Sequence, residues 1–175
     1  MRKAVFLDRD GVINEVLSKR VKFVNKPEQL FLLAGVGEGV KLLNDFGYHV
    51  FVVTNQGGVG LGYMKEKMLI SIHERMEREI GKAGGRIDDV IYCPHSPHAG
   101  CVCRKPEPEM LLSLARKHNI LIEESYMVGD RDVDIIAGKQ AGTKTILIGN
   151  KSDRDQFQAD HHFPSLYKAA VWLTT

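Results

Sequence analysis

No apolar run in this sequence approaches the roughly 18 residues that a membrane-spanning helix needs, so no transmembrane segment is expected. Charge of one sign is also scarce. The 24 Lys and Arg residues nearly balance 22 Asp and Glu residues, a formal net charge of +2. That bias is too small to suggest nucleic acid or an anionic membrane as a partner. Cysteine is rare, with three residues in the chain. An odd count in a reducing compartment argues against a disulfide framework. There is no internal repeat and no low-complexity linker. The stretch MRKAVFLDRD starts basic, but acids cut its apolar run short, so it does not read as a signal peptide. What remains is the profile of a cytoplasmic, monomeric protein. Residues 1–175 are expected to form one domain with enough chain for a real core.

Short apolar runs alternate with helical patterns. AVFLD (4–8), HVFVVTN (49–55), DVIYC (89–93), SYMVGD (125–130) and TKTILIG (143–149) read as strands. Between them, GVGEGVKLLNDFG (35–47) carries Val36, Val40, Leu43 and Phe46 at helical spacing, with Gly47 as a stop. KEKMLISIHERMEREIGKAG (65–84) is a long amphipathic helix in which Met68, Ile72, Met76 and Ile80 recur four apart. PEMLLSLARKHN (108–119) and DVDIIAGKQAG (132–142) are helices, the first with Pro108 in its opening turn. The tail offers a short edge strand around ADHHF and a last helix over 165–173. Strands alternating with helices predict an α/β fold of three layers, Rossmann-like, with a central parallel sheet. Ligands in such folds gather beyond the carboxyl ends of the strands. The first strand there runs into Asp8 and Asp10, the second into Thr54 and Asn55, and the fourth into Gly129 and Asp130.

Each of these pieces has a bland reading as a turn or a helix cap. Together they supply the parts of a phosphoryl-transfer site. Asp8 and Asp130 on neighbouring strand ends make a hard oxygen site suited to Mg²⁺. A carboxylate is a competent nucleophile towards phosphorus, and its charge must be neutralised against the phosphate's. Lys105, the Thr54 hydroxyl and backbone N–H groups can hold the phosphoryl oxygens. Asp10, two residues beyond Asp8, can protonate the leaving oxygen and then activate water.

The segments DRDGV (8–12), TN (54–55), RKP (104–106) and GDRDVD (129–134) resemble the four motifs of the haloacid dehalogenase (HAD) superfamily. The resemblance spans residues 3 to about 149. It implies Asp8 as nucleophile, Asp10 as general acid/base, and Thr54 and Lys105 as phosphoryl stabilisers. It also implies Asp130 as an Mg²⁺ ligand, with Asp10 contributing its backbone carbonyl and Asp134 orienting the metal's surroundings. Dehalogenases lack the second acid, so Asp10 points to a phosphatase. Val12 stands where many members have Thr, at a position read as packing.

The three cysteines cluster in CPHSPHAGCVCRKP (93–106) with His95 and His98. Soft ligands this dense suit a tetrahedral Zn²⁺, and three cysteines with one histidine would close its shell as a structural site. On chemistry alone either histidine can be the fourth ligand. The C-x-H…C-x-C arrangement resembles the zinc loop of D-glycero-D-manno-heptose 1,7-bisphosphate phosphatases and of bacterial histidinol-phosphatases. That resemblance selects Cys93, His95, Cys101 and Cys103. The loop runs into Arg104 and Lys105, so zinc would pin those cations towards a substrate.

Insertions between elements are too short for a separate cap domain, so an open site is expected. The loop over 15–29 carries Lys19, Arg20, Lys22 and Lys26, either as plain surface or as contacts to a second phosphate or to sugar hydroxyls. TNQGGVGLGYM (54–64) is similar to the corresponding stretch of the heptose bisphosphate phosphatases, whereas histidinol-phosphatases share only its start. The resemblance marks Asn55, Gln56, Gly57, Arg104 and Arg131 as substrate contacts. It implies Mg²⁺-dependent removal of the 7-phosphate of a phosphorylated sugar, a heptose 1,7-bisphosphate. Histidinol-phosphate hydrolysis is the rival.

Overall fold

The computed structural model describes residues 2–149 and 156–175. Six parallel strands form one sheet in the order β3-β2-β1-β4-β5-β6. They are β1 (Ala4–Leu7), β2 (His49–Asn55), β3 (Asp89–Cys93), β4 (Tyr126–Gly129), β5 (Lys144–Ile148) and β6 (His161–Phe163). Side chains alternate across a strand, and β1 uses both faces. Val5 and Leu7 pack with α1 (Val36–Asp45), α2 (Glu66–Lys82) and α5 (Leu166–Leu173). Ala4 and Phe6 pack with α3 (Glu109–His118) and α4 (Asp132–Ala141) on the other side. All four β1 residues are fully buried, as a strand covered by helices on both faces must be. The three expected layers are therefore present, and no cap domain interrupts them among the described residues. No helix among those residues is long and apolar enough to cross a membrane.

Every expected element exists, with ends shifted by one or two residues. The largest internal difference lies on α2. Met68 is exposed, and the buried stripe is Leu69, Ile72, His73, Met76 and Ile80. Strict four-residue spacing drifts off a 3.6-residue helix, so the true stripe alternates steps of three and four. The shift puts a histidine on the face turned to the sheet.

The order β2-β1-β4 makes β1 and β4 adjacent although they are far apart in sequence. Register pairs Leu7 of β1 with Val52 of β2 and Val128 of β4. The residues that follow each strand therefore emerge side by side at the switch point between β1 and β4.

Candidate active site

Asp8 leaves β1 with its backbone N–H donated to the carbonyl of Val128, so the strand's pairing carries it one residue past the sheet. The chain then turns around one acceptor. The Arg9 carbonyl takes the N–H groups of Val12, Ile13 and Asn14. Gly11 sits in this turn at φ +85°. A Cβ there would lie 2.1 Å from Oδ2 of Asp130, so glycine is required both by the backbone and by the carboxylate packed against it.

Lys105 is the centre of the charge arrangement and is 2% exposed. Its Nζ donates to Asp8 Oδ1 at 2.9 Å, to Asp134 Oδ1 at 2.7 Å and to the Val53 carbonyl at 2.9 Å, which uses all three ammonium protons. Burial pulls the ammonium down, but Asp134 and Asp8 outweigh it and hold Lys105 above its ordinary range. Asp134 lies in the first turn of α4, where Oδ2 accepts the backbone N–H groups of Asp130 and Arg131. Carboxylate oxygens of Asp8, Asp130 and Asp134 lie within 4.8 Å of one another. Burial, then Asp134, pushes the Asp8 carboxyl well above the usual carboxylate range, against the pull of Lys105; Asp130 and Asp10 push the same way. Three acids against one lysine leave an excess of negative charge that fits a hard divalent cation.

Asp10 is held differently. Its Oδ1 accepts from Arg9 Nη2 at 2.9 Å, Arg9 Nε at 3.1 Å and Asn14 Nδ2 at 3.0 Å. Among the described residues its Oδ2 meets only Gln56 Nε2, at 3.3 Å. Burial raises the Asp10 carboxyl, but the Arg9 charge and these hydrogen bonds carry it below its ordinary value. Gln56 is buried, and its Nε2 also donates to Thr54 Oγ1 at 2.9 Å. The Asn55 side chain is tied to the Lys105 backbone, accepting its N–H at 2.9 Å and donating to its carbonyl at 3.1 Å. Gln56 and Asn55, read from sequence as substrate contacts, thus spend their side chains holding Thr54, Asp10 and Lys105.

Two open clefts meet here. One of about 280 Å³ is lined by Asn55, Arg104, Lys105 and Arg131 among others. Its neighbour, of about 510 Å³, runs from Asp10 past Gln56 and Gly57 to Lys22, Phe23, Tyr63 and Arg104. Arg104 stands on both. Burial, then the nearby charge of Arg131, draws its guanidinium down from its usual value. Two guanidiniums beside an open cleft, neither ion-paired among the described residues, suit an anionic ligand. Of the four basic residues in the loop over 15–29, only Lys22 lines this cleft; Arg20 pairs with Glu15 at 2.6 Å.

The cysteine loop gathers as expected. His95 Nδ1 lies 3.3 Å from Cys93 Sγ and 3.2 Å from Cys103 Sγ, and Cys101 Sγ is 3.5 Å from Cys93 Sγ. The Cys93 and Cys103 sulfurs stand in contact, and the Cys101 thiol lies beside them. The loop folds back until the Cys93 and Cys103 Cα atoms are 5.7 Å apart, a spacing that serves a disulfide or a shared metal ion. One ligand atom from each of Cys93, His95, Cys101 and Cys103 lies within 4.8 Å of the others, a donor set that fits Zn²⁺ when the thiols are reduced. His98 is outside this group. The loop is also fastened to the turn after β2, since Gln56 N–H donates to Cys93 and Gly60 N–H to Pro94.

Arg9, Asn14 and His73 went unread in the sequence. Arg9 carries no motif signal of its own, and His73 lies off the four-apart stripe expected for α2.

A strand-end cluster of acids around one buried lysine, on a three-layer parallel sheet, is the build of a HAD-like hydrolase. The HAD-hydrolase-like family profile matches residues 102–169. The D-glycero-beta-D-manno-heptose-1,7-bisphosphate 7-phosphatase of Helicobacter pylori is 35% identical over 147 residues, covering 83% of each chain. The alpha-type 7-phosphatase of Photorhabdus laumondii is 37% identical, over 80% of this chain and 78% of its own. The crystal structure of D,D-heptose 1,7-bisphosphate phosphatase from B. bronchiseptica, complexed with magnesium and phosphate, superposes with a TM-score of 0.90. It is 32% identical and covers 98% of this chain and 97% of its own. The chain therefore belongs to the D-glycero-D-manno-heptose-1,7-bisphosphate 7-phosphatase family of HAD-like hydrolases.

Proposed function

We propose that this protein, acting as one domain, is a phosphatase that removes the 7-phosphate of D-glycero-D-manno-heptose 1,7-bisphosphate and leaves heptose 1-phosphate. The observation that carries the reading is the cluster of Asp8, Asp130 and Asp134, two of them bonded to Lys105, beside the Arg104 cleft, in a chain so similar to enzymes of that name. The Asp8 carboxylate attacks the phosphorus and forms an aspartyl-phosphate as the bond to the sugar oxygen breaks. Asp10, which must enter this step protonated against the pull of the Arg9 charge, gives its proton to that oxygen. It then takes one from the water that attacks the aspartyl-phosphate, which returns Asp8 and releases phosphate. Lys105 and the Thr54 hydroxyl hold the phosphoryl oxygens, and Arg104 and Arg131 hold the distal end of the substrate. Asp8, Asp130 and the Asp10 carbonyl are the groups that would bind Mg²⁺, which when bound supplies positive charge against the phosphate.

A phosphate-release panel with Mg²⁺ tests the assignment. It contains both heptose bisphosphate anomers, histidinol phosphate and fructose 1,6-bisphosphate. One heptose anomer is expected to lead in kcat/KM by at least about tenfold. Histidinol phosphate turning over fastest would overturn the substrate.

Gly11→Ala is expected to displace Asp130, because the new methyl group occupies its carboxylate's place. It also forces an L residue into the left-handed region, at a cost of about 1–2 kcal/mol. A lower Tm, together with a higher Mg²⁺ concentration for half-maximal activity, is the expected result. An unchanged Mg²⁺ requirement would remove Asp130 from the metal site.

The cysteine cluster is proposed to hold zinc as a structural ion. Protein prepared reduced and without chelator should contain about one zinc per chain. Chelation should lower Tm and leave the Mg²⁺ requirement where it was. Metal analysis finding none would count against the site.

A further inference from the structure

Arg9 is the largest fully buried side chain among the described residues, at 0% exposure. A buried guanidinium needs its charge and its protons answered. Two of its nitrogens, Nε and Nη2, point at the single oxygen Oδ1 of Asp10. Its Nη1 lies 3.1 Å from Nε2 of His73, which reaches in from α2 and is 5% exposed. Arginine has donors and no acceptor, so the His73 Nε2 must present its lone pair and carry its proton on Nδ1. Burial, then the Arg9 charge, pushes His73 down to about 3, which agrees with a neutral ring. The histidine is thus a fixed acceptor. A histidinium in its place would set two cations against each other.

The consequence falls on Asp10. Three donors saturate Oδ1, while Oδ2 has one long contact to Gln56. A carboxylate anchored by one oxygen exchanges protons through the other. We propose that His73 is a positioning residue for the proton-transfer step: it holds the Arg9 guanidinium in the plane that pins Asp10 by Oδ1 and leaves Oδ2 facing the leaving oxygen. The helix α2 is thereby tied to the reaction although none of its residues reaches the cleft floor. The proposal rests on the assignment of Asp10 as proton donor, and its test separates the two.

The test compares wild type, His73→Leu and His73→Gln on two substrates, with thermal unfolding alongside. Leucine fills the space but cannot accept from Arg9. Glutamine offers an acceptor oxygen at similar reach. One substrate is the heptose bisphosphate, whose alkoxide must be protonated as it leaves. The other is p-nitrophenyl phosphate, whose phenolate leaves without help. Because kcat/KM reports the step that breaks the bond to the leaving group, the His73→Leu loss should be at least about tenfold on the sugar ester. It should stay within about threefold on the nitrophenyl ester. His73→Gln should regain the sugar-ester activity to within about threefold of wild type. Equal losses on both substrates, no loss on the sugar ester, or glutamine performing no better than leucine would each overturn the proposal. A wild-type enzyme that releases phosphate from p-nitrophenyl phosphate but not from the heptose bisphosphate would instead sink the substrate reading. Fructose 1,6-bisphosphate would then serve as the alkyl ester for the same comparison.

Discussion

Asp8→Asn should cut phosphate release from the sugar bisphosphate by at least about 10⁴-fold, because an amide cannot form the acyl phosphate that the reaction passes through. The fold should survive, and the metal-free variant should be at least as stable as wild type at neutral pH. The reason lies in the sign of the Asp8 shift. Burial and the acids around it raise its carboxyl in the folded protein above its value in the unfolded chain. Such a group contributes its full stability below the unfolded value and loses it as pH rises through the folded one. At neutral pH the wild-type protein therefore bears a net cost at Asp8, and the neutral amide does not. Added Mg²⁺ should raise the Tm of wild type more than that of Asp8→Asn, since the cation rewards the charge that the variant lacks. Thermal unfolding with and without Mg²⁺, beside a phosphate assay, reads both effects. Turnover within tenfold of wild type would remove Asp8 as nucleophile.

The parts legible in the sequence were those written locally. A strand that ends in Asp8 and Asp10, the four short motifs and the ligand spacing from Cys93 to Cys103 each carry their meaning within a dozen residues. The alternation of strands and helices gave the layers, and motif order gave the shared rim. The unread parts depend on contacts across the sequence. Arg9 and His73 are 64 positions apart and meet 3.1 Å from each other only because α2 packs over the β1 turn. Asn55 and Gln56 are marked as substrate contacts by resemblance, and they line the cleft while their side chains also bond within the protein. The Asn55 side chain meets the Lys105 backbone, brought against it by the loop from Cys93, which no local pattern announces.

The largest loss of stability is expected at Lys105, through the charges it leaves behind. Lys105→Met keeps the length and the apolar stem and removes the ammonium. Asp134, 1% exposed, and Asp8, 7% exposed, then face each other in the interior without a cation. Breaking a buried pair from one side costs about 3–5 kcal/mol, and the Val53 carbonyl loses its donor as well. The shift of Lys105 agrees in sign: its folded value is raised, so its contribution is fully present below the unfolded value and is lost only in strong base. Activity should fall with stability, by about 10²–10³-fold, as one phosphoryl-holding cation disappears. A double-mutant comparison separates this account from simple packing damage. Asp134→Asn made in the Lys105→Met background should restore part of the lost stability in urea unfolding, because it removes the uncompensated charge. The same change made in wild type should destabilise, because it deprives Lys105 of a partner. The opposite signs amount to a coupling of about 1–3 kcal/mol. Additive effects would mean that the lysine and the aspartate stabilise the protein independently, and the central ion triad would no longer explain why a lysine is buried at the head of the sheet.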